Sequence, residues 1–419
     1  MNTIRKPFFI LVGLILFYLA FEGFQRTGEP NDFTVYYRAA GTIRGDLSPY
    51  EIQLVPENIR LNYVYPPLLA SALVPLTFFP AVVADQIWTA LNLAALIGCL
   101  LLLQRLLYFH DSNLRVLAIS TFAVLPFLRT TMRSGQVSIF LLFLILLALR
   151  QTKEKGTLLP CIPMGMAIGL KLYPAGAMLI WLFQERWKWI GVSLIFALSL
   201  SLLIPAMALG PTAGVHANLS FWNDLVPRSM GWKDAPDWFG YRSRHSYSIP
   251  SALYRWTSKL PAPIIPLKDS HRWVLTCLIS GSWIALAWVG LKKLERVRPR
   301  PFPEERLLQL GLVVGLLPIL GPISLKAGFI ALLPVYAVLF AVPGRSPSRT
   351  RISWGLAGIC LFLHLFPFRL VIGRQFTYEL EAHSIILVGA CCLYLAQWLR
   401  ISDFTQENRS LPVSPSCGQ

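Results

Sequence analysis

The sequence predicts an all-α, polytopic transmembrane helical bundle. Hydrophobic residues make up 55% of its 419 positions and charged residues only 14%. Apolar runs of about 15–25 residues recur from end to end, and such runs suit helices crossing a hydrocarbon core of ~30 Å. Only two sizeable polar stretches interrupt them, 25–64 and 210–271, and neither is long enough to build a separate globular core. Residues 1–400 therefore read as one multi-pass domain. Residues 401–419 read as a polar, Ser/Pro-rich tail, disordered and cytoplasmic.

Lys and Arg number 38 against 21 Asp and Glu, a formal charge of +17. On a soluble domain that excess points to nucleic acid. On a multi-pass chain it marks cytoplasmic loops, which are rich in Lys and Arg and face anionic lipid. The partner this implies is the lipid bilayer, with no nucleic acid. Cys99, Cys161, Cys277, Cys360, Cys391 and Cys392 lie in or beside apolar segments, and Cys417 lies in the tail. The pattern indicates neither a disulfide framework nor a zinc site, so no metal is expected.

In order, the apolar segments are 8–24, 66–79, 81–104, 114–128, 135–150, 158–183, 190–208, 272–291, 306–320, 327–341, 352–367 and 384–399. The basic start MNTIRK, with no small-residue cleavage site after the first run, is the pattern of a retained first helix with its N-terminus inside. The most basic short connections, 292–300 and 344–351, belong to the cytoplasmic side. Twelve crossings then put both termini inside and both polar loops outside a plasma-membrane protein. Two segments sit poorly in that count. Segment 66–79 is short and rich in proline, and 158–183 is broken at Lys171-Leu172-Tyr173-Pro174. Ten crossings result if both re-enter. Broken helices persist at membrane depth only against protein or a water-filled cavity, so both breaks point to an interior site.

In the stretch NDFTVYYRAAG, Asp32, Tyr36 and Ala39/Ala40 share one helical face, with Val35 and Arg38 alongside. This predicts a short interfacial helix in the first outer loop. Asp32 stands at its N-terminal end, where the dipole favours a carboxylate and an Asp serves as N-cap. Spacing alone favours the cap over a catalyst. Lys171 lies in GMAIGLKLYPAGAM, where a charge costs ~2.5–3.5 kcal/mol on insertion scales, so it should face the interior. Snorkelling to a span end is the plainer account; Pro174 and the lack of an acid nearby in sequence favour an anionic ligand. Lys326, in GPISLKAGF, is similar but lies closer to an outer loop.

Tyr63-Val64-Tyr65-Pro66-Pro67 reads as a stiff entry into a short helix. Arg133-Ser134-Gly135-Gln136 reads as packing and capping at a helix start. The second outer loop interleaves aromatic residues, Trp222 to Trp256, with Arg228, Lys233, Arg242, Arg244, His245 and Arg255. That mixture suits an interfacial belt, or a surface that stacks sugar rings and reads phosphate.

Five stretches in order, D-F-T-V-Y-Y-R-A-A-G…G-D-L-S-P-Y at 32–50, Y-V-Y-P-P-L-L at 63–69, S-G-Q-V-S at 134–138, G-L-K-L-Y-P-A at 169–175 and S-I-P-S-A-L-Y-R at 248–255, resemble glycosyltransferase family 87. The resemblance runs from about residue 8 to about residue 340. It implies a GT-C bundle of roughly ten to thirteen helices with an exterior active site. The implied donor is a polyprenyl-phosphate sugar, usually mannose, and the implied acceptor a glycolipid or polysaccharide. No cofactor is implied, the lipid-linked sugar being substrate. By the same resemblance Asp32 is the catalytic base, and Lys171 and Arg255 are phosphate partners. Tyr36, Arg38, Tyr65, Gln136 and Tyr173, in the matching motifs, join the substrate site. One departure stands out. The family often carries P-I-S-W followed by a histidine pair, whereas this chain has Pro322-Ile323-Ser324-Leu325-Lys326-Ala327-Gly328. Lys326 then takes a phosphate role, and His245 is the histidine left to compensate. The rival readings are a flippase for a lipid-linked sugar, which would favour a repeat between the chain's halves, and a non-catalytic membrane scaffold.

Overall fold

The computed structural model describes residues 2–27, 31–50, 63–107, 113–152, 157–230, 233, 246–259, 266–295, 303–321, 324–342, 344, 346–366, 371 and 373–410. Every regular element among them is a helix. Among the described residues five helices are long and apolar enough to cross a membrane: Pro7–Phe24, Ala81–Leu106, Trp187–Leu209, Ser270–Glu295 and Ile385–Thr405. Leu114–Ala123 and Leu125–Ser134 meet at 64° and make a sixth if taken as one broken span. Phe9, Phe17, Ile195, Met207 and Leu278 lie largely exposed on these helices. In lipid such faces carry no penalty, because lipid tails are as apolar as the side chains they meet.

The N-terminal half is built from parallel pairs. The first helix, α1 (Asn2–Phe24), lies beside the bent pair: Arg115 stacks over Phe8 at 5.3 Å, and Arg129 and Arg133 reach Glu22. Helix α2 (Asp32–Arg44) follows the predicted periodicity and buries Phe33, Val35, Tyr36, Ala39, Ala40 and Ile43 along one face. Farther on, Ala81–Leu106 runs alongside Ser138–Gln151. Trp88 donates to the Gly135 carbonyl at 2.7 Å, and Cys99 contacts the Ile139 carbonyl at 3.9 Å.

Both segments that sat poorly in the sequence count double back. Residues 67–78 form a short helix, Pro67–Ala72, and a 3-10 turn, Val74–Phe78. Tyr65, just before them, packs edge-on against Tyr36 at 4.9 Å. Just after, Arg44 donates to the Thr77 carbonyl at 2.9 Å and Tyr37 to the Phe79 carbonyl at 2.8 Å. Both ends therefore rest on helix α2. The second segment makes a deeper hairpin. Its first limb, Cys161–Leu170, runs parallel to Trp187–Leu209: Cys161 reaches the Trp189 carbonyl at 3.5 Å, Gly165 faces Ser193 and Phe196, and Gly169 faces Ala197 and Ser201. The return limb, Tyr173–Phe183, brings Trp181 edge-on to Trp189 at 5.5 Å, and Arg186 donates to the Thr152 carbonyl at 3.4 Å. Lys171 is the tip, its backbone extended at φ −161° and ψ 138°.

The last two long helices, Pro347–Leu365 and Ile385–Ser410, are antiparallel, tied by Ser353 to the Ala396 carbonyl at 3.0 Å and by His364 to the Ile386 carbonyl at 3.0 Å. The final helix continues through Ser410, ten residues past the boundary drawn from composition. Ile401 and Phe404 are buried, and Arg349 pairs with Asp403 at 3.5 Å, so packing holds a turn sequence that polarity alone assigns to a tail.

One glycine fixes how the bent pair meets helix α2. Gly135 ends Leu125–Ser134 in the left-handed region, φ 66°, and a Cβ there would stand 2.7 Å from Cβ of Phe33. Gly135→Ala is expected to cost about 1–3 kcal/mol through left-handed strain and displacement of Phe33. A lowered Tm of the detergent-purified protein checks this; an unchanged Tm would show that the corner is not constrained.

Candidate active site

Asp32 is not the cap of its own helix. Asn31 takes that position with extended backbone, its side chain accepting from the Thr34 amide at 2.9 Å while Thr34 Oγ1 accepts from the Asn31 amide at 3.2 Å. This reciprocal capping box satisfies two orphan donors. Asn31 Nδ2 also donates to Asp85 at 3.4 Å, joining the cap to the start of Ala81–Leu106. Asp32, in the first helical position, is left free of that duty.

Its half-buried carboxylate is hydrogen-bonded to Gln136 and Ser134 and feels the charge of Lys171. Burial raises the carboxyl above its ordinary range, while Gln136, Lys171 and Ser134 oppose that rise without cancelling it. Gln136 is 4% exposed, and its Oε1 accepts from Ser138 at 3.4 Å, which leaves the amide nitrogen to donate to Asp32. The left-handed turn at Gly135 is what aims Ser134 and Gln136 together.

Lys171 stands over two aromatic rings, 4.9 Å from the centroid of Tyr65 and 5.6 Å from that of Tyr173. Such contacts stabilise a desolvated ammonium by about 2 kcal/mol or more each, which offsets part of the cost of its burial. Among the described residues Lys171 and Asp32 do not close into a contact ion pair. Tyr65 is held from behind: Tyr50 donates to its carbonyl at 2.6 Å, and Tyr63 binds the Pro66 carbonyl at 2.6 Å and the Ala70 amide at 2.9 Å. The prolines of the Tyr-Pro-Pro motif start the short helix beyond.

Tyr65, Lys171 and Tyr173 edge a cavity of about 770 Å³ whose remaining wall is largely apolar, including Leu179, Leu182, Trp187, Leu225, Leu316 and Leu320. One polar corner therefore opens onto a long greasy space.

The chain matches the model of glycosyltransferase family 87 over residues 63–298, more than half its length. It belongs to glycosyltransferase family 87. The family match contains Tyr65, Gln136, Lys171, Tyr173 and Arg255, while Asp32 and Lys326 lie outside it. The chain is also similar to a polyprenol-phosphate-mannose-dependent alpha-(1-2)-phosphatidylinositol pentamannoside mannosyltransferase of Mycolicibacterium smegmatis. Identity is 29% over 167 residues, which is 39% of this chain and 40% of that relative. The alignment thus spans well under half of the relative's length.

The other expected family 87 site residues fall into different places. Tyr36 is fully buried between Tyr65 and Trp88, a packing support beneath the mouth, and Arg38 is exposed. His245 lies outside the described residues. Arg255 and Lys326 do not edge the cavity. Arg255 is 3% exposed and donates to the Ser246 carbonyl at 2.6 Å and to Ser384 Oγ at 2.5 Å. Lys326 pairs with Glu381 at 2.5 Å, and Tyr247 donates to the same carboxylate at 3.2 Å. Ser246 and Ser324 join the two halves of this network, which ties residues 246–255 to Gly373–Ala382 and the start of the last helix. Glu381 was missed in sequence because its partner stands 55 residues away. Its one visible signal was an acid-bearing polar stretch, YELEA, between two apolar segments.

Two expectations follow. Asn31→Ala should cost about 1 kcal/mol in stability by loss of the cap, measured by thermal melting; no loss would contradict the cap's role. Lys171 lowers the Asp32 pKa, so Lys171→Gln should move the acid limb of any Asp32-dependent pH profile to higher pH. A shift to lower pH would show that the two charges are not coupled this way.

Proposed function

We propose that this chain transfers a hexose, mannose in the first instance, from a polyprenyl-phosphate donor to an extracytoplasmic glycolipid or polysaccharide acceptor. The observation that carries the reading is a pair of charges that do not close an ion pair: a fixed cation, Lys171, at the edge of the apolar cavity, and an acceptor of protons, Asp32, near enough to feel it. The relative's name states a polyprenol-phosphate-mannose donor and a phosphatidylinositol mannoside acceptor, which supports the same chemistry here.

In this scheme Asp32 takes the proton of the acceptor hydroxyl as that oxygen bonds to the anomeric carbon. The bond from that carbon to the phosphate oxygen breaks, and the phosphate leaves with both electrons of the bond beside Lys171. Attack opposite the leaving group inverts the anomeric centre, giving an α product from a β-linked donor. A fixed cation is most effective where developing charge is shielded from water. The polyprenyl chain lies in the apolar cavity. Moving that chain from lipid to protein gains little hydrophobic free energy, since lipid tails are as apolar as Leu. Affinity therefore comes from the phosphate, and the cavity supplies shape.

The same contacts support ten crossings over twelve. Asp32 bonds to Ser134 and Gln136, yet a twelve-crossing count puts 25–64 outside and the connection at 129–134 inside. With 66–79 and 158–183 both doubling back, the two groups share the outer side, and the termini remain cytoplasmic. Reporter fusions after Leu107 and Thr157 should then read as cytoplasmic; exterior signals from both would restore the twelve-crossing arrangement.

Transfer itself is tested in liposomes with labelled polyprenyl-phosphate mannose and membrane glycolipids. Asp32→Asn should lower turnover at least ~100-fold, the scale of general-base catalysis. Wild-type turnover by a well-folded variant would remove Asp32 from the mechanism. Translocation of donor without transfer by the wild type would favour a flippase instead.

A further inference from the structure

A second cationic cluster lies on Leu125–Ser134, the helix whose last residue bonds to Asp32. Arg129 and Arg133 stand one turn apart on Leu125–Ser134 and share a single carboxylate, Glu22, at 3.1 and 2.5 Å. Glu22 is 7% exposed, whereas the two arginine side chains are 46% and 34% exposed. One buried carboxylate is neutralised by one guanidinium, so the trio carries an excess positive charge. Each guanidinium has five N–H donors, more than one carboxylate can take up. None of the three edges the apolar cavity.

Its position suggests what would use that charge. Glu22 falls at the outer end of the span Pro7–Phe24, between the exposed Phe21 and Phe24. In the proposed topology this is headgroup depth on the outer leaflet. Ser134, next to Arg133 in the chain, hydrogen-bonds to Asp32. A phosphodiester held by the arginine pair would therefore be held on the same helix as Ser134, the group that bonds the Asp32 carboxylate.

We propose that Arg129 and Arg133, oriented by Glu22, bind the phosphodiester of an anionic lipid headgroup and so select an anionic glycolipid as acceptor; the acceptor role rests on the transferase reading above. Guanidinium forks match phosphate oxygens bidentately, which a lysine does not. The excess charge favours a headgroup with net negative charge over a zwitterionic one.

The test is native mass spectrometry of the full-length protein in neutral detergent, titrated with short-chain phosphatidylinositol, short-chain phosphatidylcholine, inorganic phosphate and polyprenyl phosphate. The wild type should hold one phosphatidylinositol with about tenfold preference over phosphatidylcholine, the scale of one charge-assisted hydrogen bond. Arg129→Gln with Arg133→Gln should erase that preference yet retain polyprenyl phosphate. Glu22→Gln, which leaves both arginines and removes the competing acid, should bind phosphatidylinositol at least as well as the wild type, and it covers the case in which the double variant does not fold. Lys171→Gln should lose polyprenyl phosphate while keeping the phosphatidylinositol preference. A failed donor site thus reads out on one lipid and a failed arginine site on the other. Equal binding of the two phospholipids by the wild type, a preference that survives the double substitution, or displacement of phosphatidylinositol by equimolar inorganic phosphate would overturn the proposal.

Discussion

Lys171 edges the apolar cavity, and Asp32 lies near enough to feel its charge without the two closing an ion pair; the elements around them are arranged to keep them that way. Each charge is stabilised by something other than its opposite. Gln136 and Ser134 hold the carboxylate from one side, and the rings of Tyr65 and Tyr173 hold the ammonium from the other. A collapsed pair would satisfy both groups and leave nothing for a substrate. Holding opposite charges apart in a low dielectric is costly, so the surrounding framework has to be stiff.

That stiffness is traceable to particular residues. The Asn31 capping box and its link to Asp85 anchor the end of helix α2 that carries Asp32. The left-handed Gly135 lets Phe33 sit against the turn that presents Ser134 and Gln136, while its carbonyl takes the Trp88 indole. On the opposite wall, the hairpin tip delivers Lys171 because the helix ends in extended backbone one turn before Pro174. The Arg255–Ser246–Ser384 and Lys326–Glu381 contacts make a second frame, binding residues 246–255 to the C-terminal helices.

Much of this was legible in the sequence, and the failures have physical reasons. Period-3.6 spacing located helix α2, and a charge followed by proline inside an apolar run located the break at Lys171. Hydropathy could not decide whether 66–79 and 158–183 cross, because an apolar hairpin and an apolar span have the same composition. Asn31 and Asp32 are both good caps, and only backbone geometry distinguishes them. Lys326 looked like a free cation because Glu381 is brought to it by tertiary packing, which local sequence does not record. Local sequence carries no sign that Arg129 and Arg133 share a carboxylate, because Glu22 stands more than 100 positions earlier.

In the proposed mechanism a lipid-linked phosphate sits beside Lys171 with its chain in the cavity. The most direct measurement is an experimental structure with polyprenyl phosphate bound. Phosphate density is expected within about 4 Å of Lys171 Nζ, the range of a contact ion pair, with chain density passing Leu179 and Leu182. Phosphate seated instead against Arg255 and Lys326, with the cavity filled by unrelated lipid, would contradict it.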